Sequence, residues 1–149
     1  MNNRYAKILN KKNPIITGVV HHYWYNNADE KNQYYFIEWI ELFFHEDEKI
    51  IFKRNEESGL IEIVDDNIQE LSNQIFENFK GKISIKSIDC SETEWWKGIV
   101  NIPGISFIED PVIEEIDYPE CILIKATKAA MLICPAEEEG INLERFNEE

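Results

Sequence analysis

The stretch that most constrains this chain is residues 33–64, QYYFIEWIELFFHEDEKIIFKRNEESGLIEIV. Three apolar runs, Tyr34–Phe44, Ile50–Phe52 and Leu60–Val64, are separated by two short charged breaks. Aromatic and β-branched residues dominate the runs, as on a pleated, half-buried surface. Phe36, Trp39, Ile40, Phe43 and Phe44 also fit one face of a helix. Strands are favoured because the long run has no Ala and the next two runs are too short for stable helices. The breaks at His45–Glu48 and Asn55–Gly59 also have hairpin length. The stretch therefore predicts a three-stranded antiparallel meander over 34–64.

Upstream, Tyr5, Ile8 and Leu9 share a helical spacing in a basic segment, residues 1–13, which Pro14 closes. Ile15–Tyr25 reads as a strand with Gly18 as a bulge. Downstream, Asp65, Asp66 and Asn67 offer an N-cap, and Ile68, Leu71, Ile75, Phe76 and Phe79 follow at helical spacing up to Gly81. A helix over 66–80, about 22 Å long, would lay its apolar stripe across the meander. Lys82–Ile88 alternates as a strand. Ser91-Glu92-Thr93-Glu94 has the capping-box pattern and would start a helical turn carrying Trp95 and Trp96. Short strands follow at Ile105–Ile108 and Val112–Ile116. Cys121–Ala126 and Ala129–Cys134 form a hairpin, and Ile141–Phe146 gives a last edge strand or docking turn. The expected fold is α+β in a single domain, 1–149: a mainly antiparallel sheet, built from meander 34–64 and hairpin 121–134, with one long helix packed on a face.

Charge narrows the function. The chain carries 29 acidic and 15 basic residues, a net charge of -14. That balance disfavours the nucleic-acid backbone and anionic membranes, where affinity comes from Lys and Arg. No stretch approaches the ~20 apolar residues of a membrane span. Three cysteines, Cys90, Cys121 and Cys134, show no CxxC spacing, which suggests separate small thiols in a reducing, cytoplasmic setting.

Chemical motifs are sparse. His21 and His22 are adjacent and would point to opposite sides of a strand, so they cannot share a metal ion. His45-Glu46-Asp47 reads as a solvated turn. There is no GxSxG motif and no phosphate-cradling Gly loop. Acids beside Cys90 would raise its thiol pKa. Glu38, Glu41 and Glu62 are the best-placed carboxylates for acid–base work, although the solvent-facing side of a sheet accounts for them. The sequence thus predicts no catalytic residue, metal or cofactor.

The remaining asymmetry is electrostatic. From Ile105 to Glu149, twelve acids face only Lys125, Lys128 and Arg145. The expectation is a stoichiometric protein-binding domain, an inhibitor of a basic and nucleic-acid-handling protein. By charge and size alone it is comparable to bacterial immunity proteins and phage anti-defence inhibitors. Glu109, Asp110, Glu114, Glu115, Asp117, Glu120, Glu137, Glu138 and Glu139 would steer the partner, and Trp95 or Trp96 would anchor it. Two rival readings stand beside this one. The first is an enzyme or small-ligand binder with a site between sheet and helix, holding Glu38, Glu41 or His22. The second is a structural subunit whose charge maintains solubility.

Overall fold

A computed structural model describes residues 13–147, and the short helix suggested by the spacing of Tyr5, Ile8 and Leu9 lies outside the described residues. The meander has the expected order: β2 (Tyr34–Phe44), β3 (Lys49–Arg54) and β4 (Ile61–Val64) pair antiparallel in sequence. Strand β1 (Ile16–Asn26) runs along the other edge of β2, from Ile16 opposite Phe44 to Tyr25 opposite Tyr34. On its far side β1 pairs with β5 (Ile83–Asp89).

The C-terminal half adds β6 (Ser106–Glu109), β9 (Ile122–Lys125), β10 (Ala129–Pro135) and β11 (Ile141–Asn147). Between β6 and β9, β7 (Val112–Ile113) and β8 (Ile116–Asp117) make a separate two-stranded hairpin. Among the described residues, nine strands form one curled antiparallel sheet. Strand β11 was expected at an edge. It lies inside the sheet, between β10 and β2, joined to β2 where Ile141 faces Ile37. Val112–Ile116 was expected as one strand; Glu114 and Glu115 have positive φ and turn it back on itself.

The helix α1 (Ile68–Asn78) is shorter than the expected 66–80 and does not cover the meander. Asn67, not Asp66, is the N-cap: its side chain accepts the Glu70 N–H. At the other end, Gly81 N–H reaches back to Phe76 O at 2.8 Å, with Lys80 and Gly81 at positive φ, which closes the helix early. Its contacts are mainly with β5, none of its residues is buried, and Phe76 and Phe79 remain 51% and 44% exposed. The expected helical turn after Ser91 is a run of tight turns instead. Ser91 Oγ accepts the Val19 N–H at 2.9 Å and donates to Asp89, so it is not free to cap.

The main core fills the inner face of the curl. Ile16, Val19, Ile40, Leu42, Phe52, Ile124, Met131 and Ile133 meet there, and Trp96 and Ile99 plug it from the 91–101 loop. A second cluster, Cys121, Leu123 and Leu132, lies on the outer face and is packed against by Ile113, Tyr118 and Phe146. Cys121 and Cys134 are not the separate thiols expected. Ile122 faces Ile133, so the next pair outward stands directly opposite, Cα–Cα 4.4 Å, and is joined as a disulfide. The argument for a reducing compartment thereby loses two of its three cysteines. No helix among the described residues is long and apolar enough to cross a membrane.

Candidate functional site

Strand register decides where the acids gather. Glu109 faces Ile122, Ile122 faces Ile133, and Ile133 faces Leu143, which forms one row across β6, β9, β10 and β11. Asp110, Cys121 and Cys134 form the next row outward. Beyond it lie Glu120 and the β10–β11 turn that carries Glu137, Glu138 and Glu139. Six of the nine acids singled out from sequence therefore share one end of the sheet. The β7–β8 hairpin carries Glu114 and Glu115 away from that end, so that Glu114 lines a cleft with Lys125 and Asn147. Asp117 pairs with Val112 nearer the hairpin base. Among the described residues, no Lys or Arg forms a salt bridge with any of the nine.

The aromatic pair divides. Trp96 is fully buried and cannot anchor a partner. Trp95 is 49% exposed, beside Leu143 and Arg145 of β11, and its carbonyl accepts from Arg145 Nη1 at 2.7 Å. Sequence reading missed two exposed apolar residues among the acids, Val112 (64% exposed) and Ile116 (55%). Their only sequence signal was the acidic, apolar run Glu109–Asp117.

A second arrangement lies between helix and sheet. His21 and His22 do point to opposite faces. His21 enters the core, where burial, helped by the neighbouring His22, lowers its pKa to about 4. His22 Nε2 and Glu41 Oε1 are 2.6 Å apart, and His22 Nδ1 and Ser87 Oγ are also 2.6 Å apart. Lys49 Nζ donates to the other Glu41 oxygen at 3.2 Å. Both His22 and Glu41 are buried, so Glu41 is not on a solvent-facing side as sequence suggested. Burial opposes its ionisation, but hydrogen bonds and charge from His22 and Lys49 outweigh that and hold its pKa below the ordinary value. The group borders a cleft of about 530 Å³ whose other wall is the start of α1: Asp65, Asp66, Asn67, Ile68, Gln69 and Ser72. Asp66 accepts from Trp39 Nε1 at 3.0 Å and lies 4.0 Å from Lys53.

Glu38 is buried too, but apart from this cleft. It lies 3.7 Å from Lys53 and lines a smaller cavity with Trp24, Phe36, Arg54, Glu56, Glu138 and Glu139. Burial raises its pKa, with Lys53 only partly compensating. Glu62 pairs with Asn55 at 3.1 Å on the meander edge and joins neither group. Cys90 is a buried free thiol whose pKa burial pushes up, with Asp89 adding to the effect. Among the described residues, no group of three or more His, Cys, Asp or Glu side chains is arranged to hold a metal ion.

Compared with family models, curated proteins and solved structures, the chain finds no match. The functional reading therefore stands on these side chains alone.

Proposed function

We propose that this domain is a stoichiometric protein-binding module, an inhibitor of a basic protein, and that the acidic end of the sheet is its contact surface. What supports the reading is the register that collects Glu109, Asp110, Glu120, Glu137, Glu138 and Glu139 at one end, where no Lys or Arg among the described residues forms a salt bridge with them. Neutralising such a patch internally would remove its field; left unpaired, it attracts a Lys/Arg-lined cleft and raises the encounter rate. Val112 and Ile116 stand exposed on the β7–β8 hairpin that follows Asp110 and supply apolar contact once the partner has docked. Nucleic-acid-handling proteins, whose working clefts are basic, are the partner class that fits.

The test is kinetic. Purified basic nucleases are passed over the immobilised domain, and association is measured between about 50 and 500 mM salt. The on-rate of a true partner falls at least about tenfold over that range, and replacing Glu137, Glu138 and Glu139 with Lys lowers it further at low salt. A partner whose on-rate ignores both salt and the three substitutions overturns the reading.

A second reading, a small-ligand or enzymatic site between sheet and helix, is favoured by one observation: His22, Glu41 and Ser87 meet at the mouth of the 530 Å³ cleft.

A further inference from the structure

The geometry points to Ser87 as a nucleophile for acyl transfer, with His22 as its general base and Glu41 as the residue that positions His22. This rests on the second reading, of a site in the helix–sheet cleft, and not on the acidic end.

Three adjacent strands supply the three groups. Ser87 on β5 is directly opposite His22 on β1, and His22 is opposite Trp39 on β2, two residues from Glu41. All three side chains fall on the same face, the one turned toward α1. Their burial is graded. His22 and Glu41 are 5% and 8% exposed, while Ser87 is open to solvent at the cleft. The buried dyad thus ends in a hydroxyl that a ligand in the cleft can reach.

The tautomer follows from the partners. Glu41, held as a carboxylate by His22 and Lys49, can only accept, so His22 carries its proton on Nε2 and donates to Oε1 at 2.6 Å. In the neutral ring, the form that acts as a base, Nδ1 is then a lone pair facing Ser87 Oγ at 2.6 Å, and the hydroxyl donates to it. Nucleophile, base and orienting carboxylate are thus linked in the order that activates a serine. The opposite wall offers electrophilic help. The first-turn N–H groups of Ile68 and Gln69 have no acceptor within the helix. Those of Glu70 and Leu71 are taken by the side chain and carbonyl of Asn67. Ile68 and Gln69 line the same cleft as Ser87, which makes their N–H groups the candidate donors to a developing oxyanion.

Asp65 and Asp66 also line the cleft, against Lys49 as its basic residue, so the substrate class is an uncharged or cationic ester. Oγ bonds to the acyl carbon while its proton passes to His22 Nδ1. The carbon–alkoxy bond then breaks, and the leaving alcohol takes that proton. Water, deprotonated by His22, hydrolyses the acyl-serine and restores the hydroxyl. The sum is ester plus water giving acid plus alcohol.

The experiment uses the full chain and two probes. With diisopropyl fluorophosphate, Oγ–P forms as P–F breaks, and peptide mass spectrometry places the adduct on Ser87. With p-nitrophenyl acetate, nitrophenol is released in a burst matching the protein concentration. Ser87→Ala abolishes both signals. Glu41→Gln slows labelling by about 10²-fold and shifts its pH profile, which a packing defect alone would not do. Circular dichroism confirms that each variant is folded. Amide shifts at Gln69 and Ser72 on adding p-nitrophenyl acetate, without an adduct or a burst, overturn the nucleophile but leave the cleft as a ligand site. No shift and no adduct overturn both.

Discussion

Trp96 donates its indole N–H to Nε2 of His21 at 2.9 Å, inside a core where Trp96 is inaccessible and His21 is 2% exposed. That bond leaves the imidazole proton on Nδ1, which donates to the Tyr23 hydroxyl at 3.2 Å. A neutral histidine is thus locked between two partners. Its folded pKa of about 4 lies below the unfolded value of 6.5, so between these pH values the unfolded chain binds more protons. Stability contributed by His21 is complete above pH 6.5 and is lost as pH falls toward 4, by about 3 kcal/mol in total. Urea titrations across this range should show that slope, and His21→Gln should flatten it. Trp96→Phe, which strands Nε2, should cost about 2 kcal/mol at neutral pH.

Glu38 carries the opposite sign. Its pKa is raised in the folded state, chiefly by burial, so its charged form is disfavoured on folding and stability is lost as pH rises through the interval above the ordinary value of 4.5. Lys53, at 3.7 Å, does not fully offset this. Glu38→Gln should therefore stabilise the protein at pH 7 while changing little at pH 4. Thermal melts of the two proteins at both pH values decide the matter.

These two groups also mark what the sequence could and could not disclose. The meander was legible because β-branched and aromatic runs were cut by breaks of hairpin length, and β2 spans the predicted Tyr34–Phe44. Its rival helical reading arose because Trp39 and Ile40 are both almost inaccessible. A central strand covered on both faces loses the period of two that would have identified it. The sequence offered Trp95 or Trp96 as the anchor; which of the two is exposed depended on how loop 91–101 folds over the open curl. The cleft was hardest to see. His22 and Glu41 could be named singly, but Ser87 joins them only once β5 pairs with β1, and nothing local in KISIKSID signals that partner. The disulfide was hidden for the same reason, since it follows from cross-strand register and not from spacing.

The Cys121–Cys134 bond closes a segment 13 residues apart in sequence that includes the β9–β10 turn. It ties together the strand ends that lead into Glu120 and the 137–139 turn. Removing it frees the unfolded chain more than the folded hairpin, at a cost of about 3 kcal/mol. The expected outcome is a melting temperature about 6–12 °C lower in a reductant, with the double variant Cys121→Ala, Cys134→Ala melting like the reduced protein. Cys90→Ala, which removes the remaining buried thiol, should leave the reductant sensitivity intact. A melt indifferent to reductant would mean that this bond contributes nothing to the fold.

Gly140 holds the acidic turn against the meander. Its φ is +78°, and a Cβ there would come 2.6 Å from Ile37 O and 2.7 Å from Phe36 Cδ2. The first of these atoms is backbone, at the position where Ile37 faces Ile141 and the two halves of the sheet join. Gly140→Ala must therefore either strain its own backbone or push β11 off β2. The cost should exceed about 2 kcal/mol, read as a lower urea midpoint. The distribution of the damage is the sharper readout. Hydrogen exchange should accelerate at Ile37, Ile141 and Asn142 first, while Ile40 and Leu42, held by β1 and β3 on either side, keep their protection. Uniform acceleration across β2 would mean that the halves unfold as one unit and that the single bridge is not the weak joint.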